Sequence, residues 1–223
     1  MLKVLYEDNH VIVVVKPHNI PVQPDESGDL SLLDMVRAYI KDKYNKPGNV
    51  FVGLVHRLDR PVSGIMVFAR TSKGAARLAK SMRTHEIKKL YSAVLRGCPD
   101  KLSGCLENYM LKNRKTNISS IVTPETPGAK FASLTYELLL YQNDLSLVSI
   151  NLHTGRPHQI RLQFSNIGCP VSGDMKYGKE EKSYRGNIAL FAHSLSFPHP
   201  VTKESLLFEE PLPEDFPLRK PIV

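Results

Sequence analysis

The sequence predicts an α+β fold in one compact domain over residues 1–223, and three observations predict it. Short apolar, β-branched runs such as residues 11–15 and 65–69 alternate with polar turns, as strands do. Two stretches, 32–44 and 72–84, instead carry apolar residues at helical spacing. The 223 residues can bury a sizeable core, and that length fits one domain or at most two.

Residues 2–6 and 11–15 read as a hairpin around Glu7-Asp8-Asn9-His10. Lys16-Pro17 then opens a loop ending near Gly28. Ser31 followed by Asp34 marks a helix start, with Leu32, Leu33, Val36, Tyr39 and Ile40 as its apolar stripe through about Tyr44. Two strands, Phe51 to Val55 and Ile65 to Ala69, flank the turn holding His56, Arg57, Asp59 and Arg60. Ser72 caps a second helix to about Thr84, on which Lys73, Arg77 and Lys80 fall opposite Ala75, Leu78, Ala79 and Met82.

Further strands are expected at Leu90 to Leu95, Phe131 to Tyr141 and Leu145 to Leu152, with Asn143-Asp144 at a turn. Residues 108–129 are polar and read equally as a structural connection or as a mobile hairpin. Pro157 suits the first turn of a third helix and Gly168 its end.

The turn over 56–60 is the chemically loaded stretch, since Asp59 there sits among three potential cations. A solvated hairpin tip would also be polar. Here, however, apolar strands hold the turn on rigid backbone, and Pro61 and Gly64 fix its exit, so it is built to aim Asp59.

The formal net charge is +8 and the isoelectric point near 9.3, which favours a polyanionic partner. The excess is concentrated. Between Arg70 and Arg96, Lys73, Arg77, Lys80, Arg83, Lys88 and Lys89 add to the two ends and face only Glu86, while acids collect near the C-terminus at Glu204, Glu209, Glu210, Glu214 and Asp215. Lys73, Arg77 and Lys80 are either a solvated helix face or a phosphate-facing one, and the scarcity of acidic neighbours favours phosphate.

Cys98, Cys105 and Cys169 form no close pair, so neither a disulfide framework nor a cysteine zinc site is expected. His153 and His158 lack an HExxH arrangement, which argues against a metal-dependent nuclease. The run Val11 to Val15 is far too short for a membrane span or a signal core, and a cytoplasmic protein with no membrane contact is expected.

Five segments resemble the RluA-type family of RNA pseudouridine synthases: LYEDNHVIVVVKPHNIPVQP at the start, HRLDRPVSG at 56–64, LYSAVLRG from Leu90, HTGRPHQIRLQFSNIGCPVSGDMKYG at 153–178 and IALFAHSLSFPHPVTKE from Ile188. The similarity covers nearly the whole chain. It implies the pseudouridine synthase fold, a large, mainly antiparallel mixed sheet with flanking helices and a central cleft, and a stand-alone catalytic domain without an S4-type module.

The resemblance also implies roles. Asp59 would be the nucleophile or base, with Tyr91 and Arg161 beside it in catalysis; read without the family, Tyr91 is strand packing and Arg161 a surface ion pair. Leu190 would form an apolar wall of the site, and Arg57 would fill the space left by a flipped base. Arg60, Lys73, Arg77 and Lys80 complete the expected RNA contacts. No cofactor and no metal are expected, and the partner would be ribosomal or transfer RNA rather than DNA, bound by a monomer. A fold-sharing RNA-binding or ribosome-assembly factor without turnover is the competing reading. Pro61 and Val62 where relatives carry an Asp-Thr pair, Pro157 for a hydroxyl residue and Phe191 for a histidine are departures that bear on substrate choice.

Overall fold

The computed structural model describes residues 2–178 and 186–219. In chain order its elements are β1 (Lys3–Glu7), β2 (Val11–Lys16), α1 (Leu32–Lys43), β3 (Gly53–Leu54), β4 (Ser63–Ala69), α2 (Ser72–Arg83), β5 (Lys88–Arg96), β6 (Ser103–Asn113), β7 (Ile118–Val122), β8 (Lys130–Gln142), β9 (Leu145–Leu152), α3 (Gln159–Asn166), β10 (Leu190–Pro198) and β11 (Ser205–Glu209). They gather into two compact units: residues up to Lys89 with Ala192–Glu210, and Leu90–Phe191 with the residues after Glu210. Among the described residues no helix is long and apolar enough to cross a membrane.

In the first unit the strands run in the order β1-β2-β4-β10, with β11 on β10 and β3 on β4. The Asp8 carboxylate closes the β1–β2 turn by accepting the backbone N–H groups of His10 and Val11 at 2.7 and 2.8 Å. Alternate residues of three strands, Val11 and Val13, Ile65, Val67 and Ala69, and Leu195 and Phe197, make one buried cluster that receives Leu78 from α2. Burying each of its Val, Ile, Leu and Phe side chains is worth about 1.5–3 kcal/mol. β4 is buried at every position, so the Asp59 turn is mounted on the most protected strand of this unit.

The sequence reading of α1 matches its Ser31 cap, whose hydroxyl accepts the Asp34 N–H. Two other expectations shift. The cap of α2 is Thr71 rather than Ser72: Thr71 is extended, and its hydroxyl accepts the Gly74 N–H at 3.0 Å. The strand expected over 51–55 shrinks to Gly53–Leu54, because Phe51 is exposed and the His56 ring takes over the pairing with β4.

In the second unit the order is β5-β9-β8-β6-β7, all neighbours antiparallel. Asn143 and Asp144, at φ 52° and 59°, make the left-handed pair that joins strands with their natural twist. The polar stretch from Asn108 lies in a hairpin, β6–β7, held next to its turn where the Ser119 hydroxyl donates to the Pro157 carbonyl at 2.9 Å. α3 starts later than Pro157 suggested. His158 sits in the left-handed region at φ 58°, Gln159 is the first helical residue, and Gly168 ends the element at φ 78°. Phe164 of α3 is fully buried and meets Tyr136 edge-on at 5.4 Å.

Candidate active site

Asp59 is half-buried on a turn that three side chains hold from below. Lys16, the last residue of β2, is fully buried, and its Nζ donates to the carbonyls of Pro17, Arg60 and Val62 at 3.0, 2.8 and 2.7 Å. Only a protonated amine has three hydrogens to give, so this arrangement selects the ammonium. Burial pulls Lys16 down to about 7, with the Asp59 carboxylate opposing that fall and the Arg60 guanidinium adding to it. The lysine therefore binds the carbonyls on both sides of Pro61 and feels the charge of Asp59.

His18 adds a second fastening. Its Nδ1 lies 2.8 Å from the Pro61 carbonyl, which can only accept, so Nδ1 donates and Nε2 faces the Ser63 hydroxyl at 2.9 Å. Arg60 holds the loop in front: Nε donates to the Asn19 carbonyl at 3.2 Å, Nη1 to Ser27 at 2.9 Å, and Nη2 to the Asp29 carboxylate. Arg60 thus ties loop 19–29 to the turn, while Arg57 is exposed at its tip.

The third fastening is His56. Its Nε2 accepts the Val67 N–H at 3.1 Å, the ladder bond that β3 ends too early to make. Nδ1 is buried and finds no hydrogen-bond partner among the described residues. Burial, reinforced by the Lys89 charge, lowers this imidazole from 6.5 to about 3, so the native ring stays neutral while the unfolded chain protonates. As pH falls from 6.5 towards 3, stability is lost at about 1.4 kcal/mol per unit. Urea denaturation across that range should therefore show a steeper acid loss in the wild type than in His56→Gln, whose amide can still accept the Val67 N–H. Equal slopes would mean that His56 takes up its proton in the native state.

In the second unit, Tyr91 is buried on β5 opposite Ile150, and Leu190, also buried, opens β10. Arg161 lies on α3 and is buried; its Nε and Nη2 donate to the two oxygens of Asp174 at 2.7 and 2.6 Å. The Tyr177 ring stands 5.3 Å from the guanidinium carbon, a cation–π contact. Asp174 is itself buried, which alone would raise its pKa, but the Arg161 bonds and charge and the Lys176 and Tyr177 N–H groups bring it below the ordinary carboxylate range.

Of the basic residues read from sequence, Lys73, Arg77 and Lys80 all lie exposed on α2, and Arg77 also donates to the Pro200 carbonyl at 3.0 Å. Two supporting residues, Lys16 and Asp174, escaped the sequence reading, and His56, counted there among the potential cations of the turn, is instead a buried neutral ring. A lysine ending a five-residue apolar run, and an acid following a glycine in GDMKYG at 173–178, were the available signals.

The sequence profile described as RNA pseudouridylate synthase matches residues 10–166. The chain belongs to the RNA pseudouridylate synthase family. Among its relatives in this family, the uncharacterized RNA pseudouridine synthase YjbO of Bacillus subtilis is 35% identical over 96% of this chain and 74% of its own length. Ribosomal large subunit pseudouridine synthase D of Zymomonas mobilis is 30% identical over 97% of this chain and 71% of its own. The solved structure of human RNA pseudouridylate synthase domain containing 4 shares the fold, with a TM-score of 0.80 over 96% of this chain and 90% of that one at 23% identity. The fold is thus the α+β pseudouridine synthase fold, and membership makes the chain an RNA pseudouridine synthase, an isomerase acting on RNA.

Proposed function

We propose that this synthase converts one or more specific uridines of ribosomal or transfer RNA to pseudouridine, with Asp59 as the nucleophile or base. The observation that carries the reading is the Asp59 turn itself. A carboxylate is presented on the turn that leads into a strand buried throughout, on backbone held by the ammonium of Lys16.

The reaction breaks the bond from ribose C1′ to uracil N1 and remakes it through C5. It is redox-neutral and moves a group within one nucleotide, so its balance requires no cofactor. A carboxylate can serve in two ways, by attacking C1′ or by taking the proton from C2′ on a glycal route. Arg161 would serve as the catalytic arginine, and Tyr91 and Leu190 would receive the base, Tyr91 also assisting proton transfer at C5. A stacked uridine cannot reach such groups. The base is therefore flipped, with exposed Arg57 taking its place in the stack, and Arg60, Lys73, Arg77 and Lys80 supply the phosphate contacts.

Relatives named for the large ribosomal subunit make its RNA the first substrate to test. The experiment is pseudouridine mapping of total RNA from cells with and without this protein, with rescue by the wild type and by Asp59→Asn. Sites lost on deletion and restored only by the wild type support the reading and name the uridine. If no site changes, or Asp59→Asn restores all of them, the chain acts by binding RNA and the catalytic proposal is wrong.

A further inference from the structure

Arg161 is given a part in the reaction above, and the inference drawn here rests on that reading. We propose that Asp174 is a positioning residue for Arg161: its carboxylate fixes the plane of the guanidinium and so the direction of the edge that serves the reaction.

The contact is a fork on a fork. Nε donates to Oδ2 at 2.7 Å and Nη2 to Oδ1 at 2.6 Å, with both residues buried. Two parallel bonds define a plane as one cannot, and they draw on one edge of the guanidinium, so they set the direction of the opposite edge with its Nη1 donors. Lysine could supply the charge here but not the plane.

Asp174 can impose that direction because it is itself immobilised. Its Oδ1 also accepts the backbone N–H groups of Lys176 and Tyr177 at 2.9 and 3.1 Å. Its own N–H donates to the Val171 carbonyl at 3.1 Å, and its carbonyl accepts the Gly178 N–H at 2.8 Å. Gly178 passes so close that an added Cβ would stand 2.5 Å from the Asp174 carbonyl oxygen, so the loop closes on Asp174 only with glycine there.

A second contact covers the guanidinium face. The Tyr177 ring lies against it, and the Tyr177 hydroxyl is held by the His158 ring at 2.7 Å and by the Ser119 N–H at 2.8 Å. Carboxylate in the plane and ring on the face together restrict rotation of the arginine. A pair serving stability alone would need no such second restraint.

The test uses the full chain and a C5-tritiated large-subunit ribosomal RNA transcript, with tritium release read under single turnover and affinity read by filter binding. Asp174→Glu keeps the buried charge and moves the carboxylate by one methylene, whereas Asp174→Asn leaves a buried arginine short of its counterion and can fail to fold. For Asp174→Glu the expected result is a saturated rate about 100-fold lower, since a misplacement near 1 Å costs that much, with RNA affinity within about threefold of the wild type. In an Arg161→Lys background, where no fork remains to be aimed, the same change should cost no more than about threefold. Three outcomes would overturn the proposal: a wild-type rate in Asp174→Glu, a loss carried by affinity alone, or full additivity with Arg161→Lys. A wild-type rate in Arg161→Ala would instead remove Arg161 from the reaction, and the positioning role with it.

Discussion

Asp59→Asn is expected to lower turnover by at least about a thousandfold while leaving the fold in place. The amide matches the carboxylate in shape but can neither attack C1′ nor accept a proton from C2′, so either route stops. Folding should barely notice, because Asp59 is half-buried and the turn is held through its backbone, by Lys16 at the carbonyls of Arg60 and Val62 and by His18 at Pro61. The substitution also removes the carboxylate that opposes the loss of the Lys16 proton, so that ammonium becomes easier to deprotonate. Tritium release from labelled RNA measures the first effect. Thermal unfolding measures the second, with a midpoint expected within about 3 °C of the wild type. Turnover near the wild-type level would remove Asp59 as the reacting group, whereas collapse of the fold would mean that its carboxylate is structural.

What the sequence made legible was local. Ser31 with Asp34, Asn143-Asp144 and Gly168 each carry a turn or cap signal within four residues, and each is found at the boundary it marks. The β6–β7 hairpin was only half legible because burial along β6 alternates but residue type does not: Cys105 and Tyr109 stand on the exposed face, and Gly104 and Asn108 on the half-buried one. Its strand character comes from pairing with β8. Two adjacent hydroxyls, Thr71 and Ser72, both make acceptable caps, and only the backbone decides between them.

The candidate site divides the same way. Asp59, Tyr91 and Arg161 were read from motif resemblance, and their roles are tested by activity. Lys16 could not be read, because its partner Val62 lies 46 residues away and a lysine in the sequence defaults to the surface. Asp174 was likewise visible only as a letter in a motif until Arg161, 13 residues before it, supplied a use for its carboxylate.

Gly64→Ala should leave little folded protein, and here fold and activity fail together. Gly64 has φ 136°, a region that side-chain-bearing residues rarely adopt, and an added Cβ would stand 2.5 Å from both the backbone nitrogen and the carbonyl oxygen of Ala192. The obstacle is backbone, so no rotamer change relieves it and β10 must move away from β4. Backbone strain costs about 1–2 kcal/mol and overpacking about 1–3 kcal/mol more, a large part of a total stability of roughly 5–15 kcal/mol. Gly28→Ala separates the two contributions: Gly28 also has positive φ, at 73°, but nothing lies within 4 Å of its added Cβ. It should lose about 1 kcal/mol and stay active. For Gly64→Ala the expectation is a fall in the unfolding midpoint of more than about 10 °C, or insoluble protein. Ala192→Gly should not rescue it, since the opposing atoms belong to the main chain. Because Gly64 pairs with Lys16 across β4 and β2, displacing it also disturbs the lysine that holds the Asp59 turn. An unchanged midpoint in Gly64→Ala would mean that β4 and β10 do not approach this closely, and the rigid mounting of Asp59 would then need another cause.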